Sequence, residues 1–437
     1  MNDKDQTIAI SDTTMSSDPY ERKGYRQYVL GILTTTYIFN FVDRQILSIL
    51  QEPIKAELGL SDTQLGLLTG FAFAVFYITM GLPIARMADK GVRRNIIAFS
   101  LGLWSLMTAF SGMAQNFVHL LLARMGVGVG EAGATPPAHS MISDIFPPKR
   151  RVTAIAIYNT GVNVGMLAGF LIGGWMLEAF GWRVALLTVG LPGIVLALII
   201  RLTVAEPKRR QIPQQGESGP SITATAKRLW QSRTYRYIAI AGAMSNFGSI
   251  GLFVWMPPFL LRSFDMSPGQ VGTWLALSIG VGGAIGTYFA GYTTDKLGAK
   301  NTKWYAWVPA GIFMVCLPFI IAMLFSSSSL MALLFFLIPA ILVAGYYAPL
   351  ISMTHSLVED NMRAMSSAIT LLIINLIGLG LGPVCIGIVS DFLEPSLGTE
   401  SLRQAMLILL PATFVISIVG YLLAAPHLAK ESRDSTN

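Results

Sequence analysis

The chain has 437 residues, 53% hydrophobic and 13% charged, with a formal net charge of +7 and a pI near 9.4. A soluble domain carries about 25% charged residues, so this composition excludes an ordinary soluble protein. The basic pI would suit a nucleic-acid binder, but the bases lie between long apolar runs rather than in one patch, which points to an integral membrane protein.

In chain order, residues 1–26 hold five acids and four bases with no apolar core segment. They are expected to form a polar tail, not a signal peptide. Twelve apolar runs follow, near 28–50, 62–86, 95–114, 117–145, 152–179, 183–203, 236–262, 268–294, 304–325, 329–357, 364–392 and 402–425. Most approach the ~20 residues that span a bilayer. The second opens with SDTQ, in which Ser61 and Gln64 form a capping-box pattern. Cys316 and Cys385 lie in apolar runs and offer no disulfide framework. The polar, basic stretch 205–235 divides six runs from six, and Lys227–Ser232 within it is expected to form a short amphipathic surface helix. The expected fold is an all-α membrane protein with bundles at 27–204 and 236–425, a linker at 205–235 and tails at 1–26 and 426–437.

An even number of spans puts both termini on one side. The connections on that side hold eighteen Lys and Arg, whereas the opposite connections hold Lys55, Arg183, Arg262 and Arg403. The positive-inside rule then makes both termini cytoplasmic in a multi-pass protein of the cell membrane.

The halves repeat. ARMADKGVRR (Ala85–Arg94) parallels GYTTDKLGAK (Gly291–Lys300), placing Asp89 opposite Asp295 at an offset of 206. Later in each half the offset is 213: Pro136 matches Pro349, Arg150 matches Arg363, and Gly165, Gly169 and Gly174 match Gly378, Gly382 and Gly387. Parallel repeats of this kind occur in secondary transporters. The repeat fails at the charges inside the spans. Asp43 and Arg44 fall on Ser249 and Ile250, Arg124 on Leu337 and Glu131 on Ala344. A role in holding the fold would be expected in both halves, so these charges are assigned to function.

Twelve spans as six plus six, with a D-[KR]-x-G-x-[KR] loop after spans two and eight, resemble the major facilitator superfamily. Within it, RMGVGVGEAGATPPAHSMISDIFPPKRR (Arg124–Arg151), FVDR in span one and WRVALLTVGLPGI (Trp182–Ile194) resemble Spinster-type transporters. Ala85 stands where the loop motif usually begins with Gly. The resemblance implies alternating access and a lysophospholipid or sphingosine-type cargo, often proton-linked. An organic-anion or sugar-phosphate carrier is the alternative, since Arg44 and Arg124 could hold an anionic head group.

Asp43 and Arg124 lie at equal depth, each about seven residues from the same membrane face, so they are expected to pair and to act with Glu131 in proton coupling. Pairing for structure alone is the other reading. Glu131, two turns from Arg124 on the same face, could take the proton, bind a cationic head group, or rest against Arg124 or Arg44. Arg44, Asn163, Asn246, Tyr346, Tyr347 and Asn375 are candidates for binding substrate, though each polar group could equally bridge helices. Asp89, Arg93, Arg94, Asp295, Lys296 and Lys300 are expected to form a cytoplasmic latch between the halves. His119, His139, His355 and His427 show no metal spacing, and no hydrolase, zinc-protease or nucleotide-binding motif is present, so neither an enzyme nor a cofactor is expected. The expected partners are a small amphipathic substrate, protons and membrane lipids, with no nucleic acid, and the chain is expected to act as a monomer.

Overall fold

The structure, a computed structural model, describes residues 18–209 and 221–434, and every regular element among them is helical. α1 (Lys23–Leu58) ends at Gly59, whose φ of 65° gives a left-handed cap. α2 (Asp62–Gly66) and α3 (Ala72–Lys90) are continuous through a π-helical turn, Leu67–Phe71. α4 (Arg93–Ser111), α5 (Phe117–Glu131) and α6 (Thr135–Ile145) follow. α7 (Pro148–Thr203) is 56 residues long and is broken at Gly181, with φ 80° and ψ 168°. That break falls between the expected runs 152–179 and 183–203.

In the second half, α8 (Ile222–Gln231) precedes α9 (Arg233–Ser263). α10 (Pro268–Leu275) and α11 (Gly282–Gly298) are joined by a second π-helical turn, Ala276–Val281. Then come α12 (Trp304–Leu324), α13 (Ser329–Leu342) and α14 (Tyr347–Ser356), the last two linked by a 3-10 turn. α15 (Arg363–Ile374) and α16 (Gly382–Leu397) are linked by a third π-helical turn, Asn375–Leu381, and α17 (Ser401–Asp434) completes the fold. Among the described residues, seven continuous helical stretches are long and apolar enough to cross a membrane.

Local chemistry explains several starts. The Ser61–Gln64 capping box forms, with the Gln64 amide donating to Ser61 Oγ and the Ser61 amide to Gln64 Oε1. The same box recurs at Ser267 and Gln270, 206 residues on. Pro147 and Pro148 open α7, where a missing amide hydrogen is harmless.

The tails and linker differ from expectation. Residues 1–17 and 210–220 lie outside the described residues, but 18–26 are fastened down. Tyr25 Oη donates to the Thr203 carbonyl at 2.8 Å, Tyr20 Oη donates to the Ala205 carbonyl, and Asp18 caps the turn Pro19–Glu21. α17 carries on to Asp434, so 426–434 is helix and not tail. The linker helix spans Ile222–Gln231 with Ser221 as its cap, longer at its start than 227–232, and buries Thr225 and Leu229. Apolar runs stop where polar and charged residues gather, whereas a helix continues for as long as its backbone is satisfied. α1 alone is ~54 Å long at ~1.5 Å per residue, well beyond a ~30 Å hydrocarbon layer.

The two halves touch through glycines that obey the repeat. At Gly66 a Cβ would lie 2.6 Å from the Pro383 carbonyl, and at Gly272 a Cβ would meet the Phe170 carbonyl. A Cβ at Gly174 would lie 2.5 Å from the Pro268 carbonyl, and one at Gly387 would meet the Asp62 carbonyl. Positions 66, 62, 170 and 174 map onto 272, 268, 383 and 387 at offsets of 206 and 213. The contact of α2 with α16 is therefore the image of the contact of α10 with α7. Close backbone approach of this kind needs small residues.

Candidate functional site

Four charged side chains meet inside the first half. α1 supplies Asp43 and Arg44, and α5 supplies Arg124 and Glu131. Asp43 and Glu131 are 0% exposed, Arg124 is 4% exposed and Arg44 has 21% of its side chain exposed. The glycines of the Arg124–Arg151 segment make this possible. A Cβ at Gly128 would lie 2.7 Å from the Phe73 carbonyl, and one at Gly130 would lie 2.8 Å from Trp104 Cβ. α5 therefore packs backbone-close to α3 and α4 and carries Glu131 into the interior.

Arg44 Nε donates to Glu131 Oε2 at 2.7 Å. Its guanidinium also lies 5.1, 4.8 and 4.9 Å from the ring centres of Phe41, Phe73 and Tyr77, a cage that favours a cation. Arg124 lies 5.6 Å from the ring centre of Phe73, and its Nε donates to the Leu68 carbonyl at 3.4 Å.

The expected Asp43–Arg124 ion pair is not formed in this structure. Among the described residues neither oxygen of Asp43 makes a hydrogen bond of good geometry, and its electrostatic neighbours are Glu131, Thr108, Arg124 and Trp104. Equal depth was necessary for pairing but not sufficient, because direction around the helix decides it. Arg44, about 100° around α1 from Asp43, faces α3 and α5 and takes the carboxylate of Glu131. Sequence reasoning missed the polar groups beside the acids. Asn40 stands one turn before Asp43 and neighbours Glu131, while Thr108 and Trp104 share one face of α4. The polar side-chain atoms of all three are buried and unpartnered among the described residues. The spacings Asn40–Asp43 and Trp104–Thr108 were the available signal.

The substrate candidates separate. Tyr347 is 41% exposed and neighbours Tyr77 and Tyr37 of the first half, so it lies across the halves from the aromatic cage of Arg44. Tyr37 stacks on Tyr158 with ring centres 4.4 Å apart. Asn163 and Asn375 are half-buried. Asn246 and Tyr346 belong to the interior instead: Asn246 Nδ2 donates to the Ile374 carbonyl at 2.8 Å and Tyr346 Oη donates to Asn246 Oδ1 at 3.1 Å. In this structure they tie α9 to α15 and to the turn before α14, the helix-bridging reading of these polar groups.

The latch residues also need correction for this structure. Asp89, Asp295, Lys296 and Lys300 are exposed, and none of the six bonds across the halves among the described residues. Arg93 is buried and pairs with Asp144 and, at 2.7 Å, with Glu206, while the Arg94 amide donates to Glu206 at 2.9 Å. These bonds fasten α4 to its own half.

Bonds between the halves lie at the end away from the termini. Arg262 of α9 donates to both oxygens of Asp62 at 2.7 Å and reaches Glu52 at 2.6 Å. Lys55 also holds Asp62, at 2.7 Å, and Ser390 Oγ donates to it at 2.6 Å. Asp391 accepts the amides of Asp62 and Thr63 at 2.8 Å each, capping α2 from the other half. Glu178 accepts the Gly269 amide at 2.8 Å and the Ser267 hydroxyl at 2.7 Å, capping α10 in return. Glu178 and Asp391 are 213 apart, so the two caps are images of each other. An acid at a helix N-terminus meets free amides and the positive end of the helix dipole.

The profile of the Major Facilitator Superfamily matches residues 33–383. A Mycolicibacterium smegmatis protein described as an MFS-type efflux pump is 31% identical over 430 residues, covering 97% of this chain and 99% of its own length. The sphingosine-1-phosphate transporter SPNS2 of Danio rerio is 23% identical over 430 residues, covering 92% of this chain and 84% of its own. Among solved structures, a bacterial homolog to the human lysosomal transporter Spinster, inward-facing and unoccupied, superposes with a TM-score of 0.80 at 32% identity, covering 94% of this chain and 98% of that one. The chain belongs to the Major Facilitator Superfamily, and within that family of transporters it resembles the Spinster-like members.

Proposed function

We propose that the chain is a proton-coupled secondary transporter that carries a single-chain amphipathic lipid, of lysophospholipid or sphingosine type, by alternating access. Counting α7 as two spans parted at Gly181 gives twelve spans, six on each side of the linker, with both termini in the cytoplasm and the chain acting as a monomer. In that frame the bonds around Asp62, Arg262, Glu178 and Asp391 close the outer end, so the arrangement is inward-facing. The six charges at the cytoplasmic end would engage across the halves only in the outward-facing state.

The observation that carries the reading is the crossed pairing inside the first half. Arg44 holds Glu131, while Asp43 and Arg124 lie in each other's field without touching. When Asp43 takes a proton, Arg124 loses one of its two acidic neighbours and competes with Arg44 for Glu131. An unpaired buried charge is strongly unfavourable, so one event at Asp43 changes which arginine is free. A freed Arg44, inside its aromatic cage at the chamber wall, can take an anionic or polar head group. A proton and a substrate shift the two states only through such differences in affinity. The apolar tail would lie along the second half, whose spans lack the matching charges.

Two arginines at one chamber also suit an organic anion or sugar phosphate without a tail. The test is counterflow in proteoliposomes loaded with unlabelled lipid. Transient accumulation of labelled lysophospholipid or sphingosine-type lipid is expected. Counterflow of sugar phosphates or organic acids with none of single-chain lipids would replace the lipid reading by the anion reading.

A further inference from the structure

On the membrane-facing side of the first half, α4 and α7 part to leave a groove of about 540 Å³. Phe99, Gly102, Leu106 and Leu198 give it an apolar lining, and Asn95 and Arg201 stand at one end. Phe99 is 72% exposed and Leu198 58%, so the apolar wall faces outward rather than into the chamber. Asn95 to Leu106 spans eleven residues, ~16 Å along the helix, the scale of an acyl chain lying upright in one leaflet.

The polar end is built for an anion. Arg201 is exposed, and no carboxylate pairs with it among the described residues. Asn95 Oδ1 already accepts from Arg94 Nε at 3.2 Å, which leaves its amide donors free to turn outward and sets a second guanidinium behind it. This end is level with an interfacial cluster, since Tyr25 and Tyr28 both bond to Thr203, two residues beyond Arg201. Tyrosines gather at the depth of lipid head groups.

We propose that this groove holds one anionic diacyl phospholipid of the cytoplasmic leaflet, with one acyl chain between α4 and α7 and its phosphate on Arg201 and Asn95. Charge complementarity selects the occupant: basic pockets between spans on the cytoplasmic side bind acidic head groups, and the anionic leaflet concentrates them there. The proposal rests on the orientation given above but not on the cargo, because its readout is lipid retention and not transport. The site lies outside the chamber of Arg44 and Glu131, so the lipid would be a resident and not a passenger.

The test is native mass spectrometry of the full chain, purified from nanodiscs holding equal amounts of phosphatidylglycerol and phosphatidylcholine with identical tails. The expected result is retention of phosphatidylglycerol over phosphatidylcholine by about fivefold, the worth of one arginine at an anionic surface. Arg201→Gln should bring the ratio to parity, and Arg201→Lys should keep most of the preference. Gly102→Leu has room for its side chain to grow, with only Ala197 Cβ near a new Cβ at 3.7 Å. It should fill the groove and lose both lipids; if that variant does not fold, the two Arg201 variants decide. The proposal is overturned by equal retention in the wild type, or by an unchanged preference in Arg201→Gln. It is also overturned if lysophosphatidylglycerol displaces the diacyl lipid, which would make the groove a cargo entrance, or if the species carrying no lipid has twice the chain mass, which would make it a contact between copies.

Discussion

The two halves of the molecule share a scaffold and differ in what it carries. Both have a second-helix start capped by a Ser–Gln box, and both close on the other half through glycines and an acid cap. Yet the positions of Asp43, Arg44, Arg124 and Glu131 are Ser249, Ile250, Leu337 and Ala344 in the second half. There Ser249 Oγ merely donates back to the Ser245 carbonyl of its own helix. The second half therefore builds the same scaffold without these charges, and in the proposed function the first half bears them for transport.

The sharpest way to break that comparison is to remove one member of the crossed set. Glu131→Ala strands Arg44 and should lose substrate uptake to background while destabilising the protein by ~3–5 kcal/mol, the range for breaking a buried pair from one side. Thermal unfolding beside an uptake assay checks both. The second-half counterpart sharpens the contrast: Ser249→Ala removes only a back-bonded hydroxyl and should change stability by about 1 kcal/mol or less, with uptake intact. A large loss of transport in Ser249→Ala would end the claim that the halves divide their labour.

The pseudo-symmetric contacts come next in size. Gly387→Leu places a side chain against the Asp62 carbonyl and should weaken the closed end by about 1–3 kcal/mol, as overpacking does. Spin labels at Met113 and Ser396, both exposed at that end, should report a longer distance population. Asp391→Asn and Glu178→Gln each weaken one cap by removing the negative charge from a helix N-terminus. If the caps are images of each other, the two variants should shift that population in the same direction, and the double variant should shift it by roughly the sum. Opposite shifts would refute the equivalence.

Smallest of all should be the effect of Asp89→Asn or Asp295→Asn on the inward-facing state. Both residues are exposed and bond to nothing across the halves, so about 0.5 kcal/mol or less is expected.

Much of this was legible in the sequence. The apolar, all-helical character, the break near Gly181, the Ser61 box and the repeat offsets all follow from hydropathy and local chemistry, which act over a few residues. The four buried charges could be found because a charge in an apolar run stands out. Their pairing could not be found the same way. Depth is read by counting along a helix, but a partner depends on how two helices turn towards each other. Of the partners left open for Glu131, it is Arg44 that holds it. The latch residues stand apart here for a related reason: a structure shows one conformational state, whereas the sequence belongs to all of them. Glu178 and Asp391 were within reach, two acids at the offset already in use, but neither lies deep in a span, and attention to deep charges passed over them.

The central claim is that Asp43 is the proton switch of the first half. Its most direct test compares wild type with Asp43→Asn in proteoliposomes, measuring both accumulation of a single-chain lipid under an imposed pH gradient and counterflow without one. The asparagine mimics the protonated acid, so it should abolish gradient-driven accumulation and leave counterflow. Accumulation of the Asp43→Asn protein at the wild-type level would contradict the account.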